Sequence, residues 1–135
     1  MDAASAIAEL KELSTQIEAV VVASRDGAVE AATLPDDAAG RVASAAQSLL
    51  DGADQLRRDL GRENLSQLQA STPEGSVFVV VDAERVAVAT TGSDPTVGLV
   101  FYDLKTLLRQ VAGHANGGAP ADAAAASDEV TDEQT

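Results

Sequence analysis

Few side chains in this sequence have the chemistry for a catalytic site, and none stands in a recognisable constellation. His114 is the single histidine, and an imidazole without a partner for a triad reads as a bystander rather than a general base. Cysteine is absent, which excludes thiol catalysis, a disulfide framework and a thiolate metal site. Neither G-x-x-x-x-G-K-[ST] nor G-x-G-x-x-G occurs, so neither familiar phosphate cradle is present. Asp26-Gly27 resembles the opening of a calcium loop, but Ala28, Glu30 and Ala32 stand where alternate ligands should follow. A hairpin turn is the better reading. Asp36-Asp37 is a carboxylate pair at the start of an amphipathic stretch, where capping is expected. Phe78, Phe101 and Tyr102, the only aromatics, make neither a stacking platform nor a cage. No catalytic, cofactor-binding or metal-ligating residue is expected, and the chain reads as a non-enzyme.

The charge balance narrows the partners. With 22 acidic against nine basic residues, a net charge of −13 and a pI near 4.1, nucleic acid and anionic membranes are disfavoured. Five of the acidic residues, and no basic one, fall after residue 112. The first residues, MDAASAIAEL, lack a basic start and an apolar run, and the run Val77 to Val81 is too short to span a bilayer. A cytoplasmic protein without membrane insertion is the expectation.

The elements are legible from periodicity. Asp36 to Gly61 carries apolar residues at Val42, Ala46, Leu49, Ala53, Leu56 and Leu60, spaced four, three, four, three and four apart. That is one face of a long helix, widened by Ala39, Ala43 and Leu50. Its small residues permit close approach of a sheet or of a second copy. Arg57 and Arg58 suit its negative end and Gly61 its stop. Arg57 lies within the stripe, either as an arginine whose stem packs while its head reaches water or as part of an interface.

Residues 3–14 make a short amphipathic helix, and 17–24 and 28–33 a hairpin about Arg25-Asp26-Gly27. Residues 64–72 read as a polar edge strand, with a helical extension as the rival. Ser76 to Val81 and Arg85 to Thr90 are strands covered on both faces. A last helix has Asp94 as N-cap and Pro95 at its first position, and buries Val97, Val100, Phe101, Leu104, Leu107, Leu108 and Val111. Leu99 and Tyr102 fall off that face. The expected fold is an α/β (α+β) sandwich: a five-stranded, mainly antiparallel sheet with helices on both faces. Residues 1–113 form the domain, and 114–135 an acidic, Ala-rich disordered tail.

The hairpin VVVASRDGAVEAA, the Ala-rich helix after it, the pair SVFVVVDAERVAVAT and the closing TVGLVFYDLKTLLRQV together resemble the Roadblock (dynein light chain) family, bacterial type. Ser24-Arg25-Asp26-Gly27 and Val97-Gly98-Leu99-Val100 match its recurrent turn and last-helix opening, over a span from about Ile7 to Val111. The stretch 64–72 departs from the family in being more polar. The resemblance implies a Roadblock/profilin-like fold and a homodimer with long helices side by side and third strands paired. It also implies an adaptor that regulates a small Ras-like GTPase, in some cases alongside histidine-kinase components. On that basis Val42, Ala46, Leu49, Ala53, Leu56 and Arg57 are the expected dimer face, and Gln47, Asp51, Asp54 and Arg58 the expected GTPase contact. The rival function is a small-molecule-sensing or scaffold module of a signalling complex without a GTPase.

Overall fold

The structure, a computed structural model, describes residues 1–61 and 66–115, with side chains as far as Ala112. The expected tail, beyond the last turn of the final helix, lies outside the described residues. The order is α1 (Ala3–Leu13), β1 (Ile17–Ser24), β2 (Val29–Ala32), α2 (Asp36–Asp59), β3 (Gln67–Thr72), β4 (Gly75–Val81), β5 (Arg85–Thr91) and α3 (Val97–Ala115). This is the expected succession. The strands form one antiparallel sheet in the order β2-β1-β5-β4-β3, so β1 and β5 are central and β3 is an edge.

Strand alternation divides the sheet into two faces. Val20, Val22, Phe78, Val80, Ala87 and Ala89 point to the side covered by α1 and α3, meeting Ile7, Leu10, Leu104 and Leu107. Phe78 meets Phe101 edge-to-face, with centroids 5.1 Å apart and planes at 78°. Val21, Ala23, Val79, Val86 and Val88 point to the opposite side, where α2 brings Ala39, Ala43, Ala46 and Leu50.

Three local features carry the frame. In the first hairpin Gly27 adopts φ +99°, and its N–H donates to the Ser24 carbonyl at 3.0 Å. There the Asp26 carboxylate accepts from the Ser24 hydroxyl and from the Ala28 N–H at 3.2 Å, and these bonds hold its pKa below the ordinary aspartate value. The Arg25 N–H donates to the Glu84 carbonyl and its guanidinium to the Asp82 carbonyl, tying this turn to the β4–β5 turn. Gly61 ends the α2 region at φ +69°.

Two expected helix starts differ. Pro35 occupies the N-cap of α2 with no side-chain capping bond; Asp36 and Asp37 lie in the first turn, where they meet the helix dipole as charges, not caps. The last helix begins at Val97, after Pro95. The Thr96 N–H donates to Gln16 Oε1 at 2.5 Å, a contact from the chain before β1, and the Thr96 carbonyl accepts from Val100. Val97 is exposed rather than part of the buried face. No helix among the described residues is long and apolar enough to cross a membrane.

Candidate interaction surface

The apolar stripe of α2 is wider than the sheet beneath it can use. Ala39, Ala43, Ala46 and Leu50 are at most 5% exposed, because their small side chains (Leu50 apart) let the helix backbone sit close to β1, β2 and β5. Val42 and Ala53 are half-buried along one margin. Beyond them Leu49, Leu56 and Leu60 are 44%, 62% and 61% exposed. The sequence places the centre of the stripe along Val42–Leu60; the structure rotates the buried line toward Ala39–Leu50 and leaves three leucines in water.

The sheet has a matching deficit. α2 packs over β1, β2 and β5, so the same face of β4 and β3 is only partly covered. Leu68, Val77 and Val81 remain half-buried there, and Ala70 is exposed. Between helix and strands runs an open groove of about 340 Å³, walled by Val42 and Leu49 on one side and by Ala70, Val77, Val79 and Val88 on the other. Its outer margin is β3, paired with β4 on one side only. β3 carries no lysine or proline, which are usual means of blunting an edge.

Helical periodicity could not reveal the strand half of this groove. The signal was available nonetheless: β4 reads SVFVVV, apolar on both faces, and the alternation Gln67-Leu68-Gln69-Ala70 turns Leu68 and Ala70 to the α2 side.

Of the residues expected at a dimer face, Val42, Ala46 and Leu49 line the groove, and Ala53 and Leu56 continue the margin toward the helix end. Arg57 is half-buried and its Nε donates to Asp54 Oδ1 at 3.2 Å. That bond joins a residue of one expected set to a residue of the other. Of the remaining expected GTPase contacts, Gln47 is half-buried, Asp51 is exposed, and Arg58 is exposed with Nη2 donating to Gln55 Oε1 at 3.0 Å. These four occupy the opposite margin of α2 from the leucines, as the helical spacing requires. Among the described residues no group of three His, Cys, Asp or Glu side chains could hold a metal. His114 falls in the last turn of α3, outside the described side chains.

A family model described as "Roadblock/LC7 domain" matches residues 6–96. No curated protein matches the chain. Among solved structures, a Roadblock/LC7 domain from Streptomyces avermitilis is similar with a TM-score of 0.78 at 18% identity, covering 86% of this chain and 99% of that one. MglB of Myxococcus xanthus gives 0.67 at 11% identity, covering 84% and 91%. An MglB with a tetrameric arrangement gives 0.69 at 18% identity, covering 83% and 88%.

Proposed function

The chain belongs to the Roadblock/LC7 domain family, and from that membership we propose that it is a homodimeric, non-enzymatic adaptor that binds a small Ras-like GTPase and modulates its nucleotide state or location. The observation that carries the reading is the coincidence of two deficits on one side of the molecule. Leu49, Leu56 and Leu60 lie in water beside a half-covered sheet whose edge strand is paired on one side only. A second copy of the chain supplies an apolar helix and a strand together, which is what both deficits need. The tetrameric arrangement of a structural neighbour supports self-association as the mode of use.

In the dimer the Leu49–Leu60 margin of α2 is the contact between protomers, with Val42, Ala46, Ala53 and Arg57 alongside. The margin bearing Gln47, Asp51, Asp54 and Arg58 then stays outside and meets the GTPase. Hydrolysis, where affected, is altered by positioning the GTPase's own groups: of these four residues only Arg58 is an arginine, and its Nη2 donates to Gln55 Oε1.

The test is capture from the source lysate on immobilised protein with GDP and with a non-hydrolysable GTP analogue. The expected outcome is a small GTPase retained in one nucleotide state and lost from an Asp51→Arg, Arg58→Glu variant that keeps the wild-type oligomer mass. Retention of no GTPase in either state sinks the GTPase reading. The groove itself favours a second reading, a ligand-sensing module, because an apolar cleft of about 340 Å³ is within the range that small molecules use. A ligand released on denaturing the purified protein would support that reading over the first.

A further inference from the structure

In a chain with a net charge of −13, a cation without a carboxylate beside it stands out. Arg85 is held by Glu30 and Glu84, and Arg57 by Asp54. Lys105 and Arg109, one turn apart on α3, form no ion pair among the described residues; Arg109 Nη2 donates to the neutral Thr106 Oγ1 at 3.0 Å. Both line a groove of about 320 Å³ where α3 passes over β4, on the sheet face away from α2. Val80 and Leu108 give it apolar walls. Asp82 also reaches it, but Asp82 Oδ1 already accepts from the Glu84 and Arg85 N–H groups at 2.8 Å each. A cationic rim beside apolar walls fits an acidic segment with one apolar side chain.

The chain itself contains such a segment. After α3 come Asp122, Asp128, Glu129, Asp132 and Glu133 with no basic residue, and Val130 is the only large apolar side chain there. Two carboxylates lie on each side of Val130. We infer that residues 128–133 of the chain's own tail dock in the Lys105–Arg109 groove, with Val130 against its apolar walls and the flanking carboxylates on the two cations. The reach is sufficient: Lys105 lies about 15 Å back along α3 from Ala115, and the fifteen residues from there to Val130 extend to about 50 Å. Asn116, Gly117, Gly118 and Pro120 are residue types that reverse a chain. The docked tail leaves α2 and β3 open, so an acidic segment of a partner would compete for this groove without disturbing the dimer.

Because the sequence has no cysteine, Thr131→Cys gives a unique attachment point for a nitroxide on the full-length protein. Paramagnetic broadening of the backbone amides of Val81, Lys105, Leu108 and Arg109 is then read by NMR. At low salt these amides are expected to broaden more than those of β1 and β2. The excess should fall about threefold or more near 1 M salt, where the screening length is about 3 Å. Lys105→Glu with Arg109→Glu should abolish it. Neutralising the tail instead (Asp128→Asn, Glu129→Gln, Asp132→Asn, Glu133→Gln) should do the same without altering α3, and decides the matter even where the α3 variant fails to fold. Broadening no greater at these amides than elsewhere, or indifferent to both sets of charges, overturns the inference. So does broadening in a mixture of isotope-labelled protein and separate nitroxide-bearing protein, which would assign the groove to a second copy's tail.

Discussion

The two faces of the sheet solve the same problem to different degrees. On one, α1 and α3 together close over β1, β5 and β4, and the large side chains Phe78, Leu104 and Leu107 are at most 1% exposed. On the other, a single helix that meets the strands through alanines does the work, and it covers little more than half the width. Two helices can seal a five-stranded sheet; one cannot. The first face buries its large side chains, whereas the second leaves Leu49 exposed and Leu68 and Val77 half-buried. The difference separates what holds the chain together from what, on the proposed reading, it offers to a partner.

The largest effect that would break this contrast belongs to the closed face. Phe78→Ala removes a fully buried ring and its edge-to-face partner contact, and should cost about 3–5 kcal/mol in chemical denaturation. The loss should be the same at every protein concentration. A cost below about 1 kcal/mol would mean that the closed face is not packed as described.

Adjacent leucines sharpen the contrast on α2. Leu50 is 2% exposed and Leu49 44%. Leu50→Ala should cost about 2–5 kcal/mol independent of concentration. Leu49→Ala should cost less, and its effect should fade on dilution, where protomers separate. Equal, concentration-independent costs would show that Leu49 is a core residue after all.

Replacing both Leu49 and Leu56 by Asp is next. Sedimentation velocity should show the dimer weakened by about 2 kcal/mol or more, roughly 30-fold in affinity, while helical circular dichroism persists. A dimer of unchanged mass would remove α2's exposed margin from the interface.

How much of this was readable in advance depends on whether the deciding interaction is local. The Ser24–Ala28 turn needed only Asp26 and Gly27, and the sequence shows both. The α2 stripe was also visible, but periodicity defines a band of the helix surface, not which part of it meets the sheet. That choice follows from the close approach that Ala39, Ala43 and Ala46 allow. Asp94-Pro95 is a sound local start signal, yet the helix begins at Val97, with the Thr96 carbonyl accepting from its first turn and the Thr96 N–H held by Gln16, some eighty positions away. The groove formed by Leu68, Ala70 and Val77 escapes any single-element reading, since its existence depends on where α2 stops across the sheet. The same holds for Lys105 and Arg109: two ordinary exposed cations in sequence, they gain meaning only above the apolar strip of β4.

The smallest effect checks that the closed face is closed at its rim. Asp103, on α3, sits with Leu10 and Leu13 of α1, and partial burial there pushes its pKa above the ordinary aspartate value. A carboxyl whose pKa is raised by folding binds its proton more tightly in the native state than in the unfolded chain. Stability therefore falls as pH rises from the ordinary aspartate value through the native one, and is level above that window. Asp103→Asn removes the penalty. The variant should match the wild type below the window and exceed it above, by less than about 0.5 kcal/mol because the group remains largely solvated. Thermal melts at about pH 3 and about pH 7, on the two sides of that window, give the sign. Should the variant instead be the less stable one at the higher pH, the Asp103 carboxylate would have to be held by a favourable partner, and the α1–α3 rim would be an electrostatic contact rather than a desolvated one.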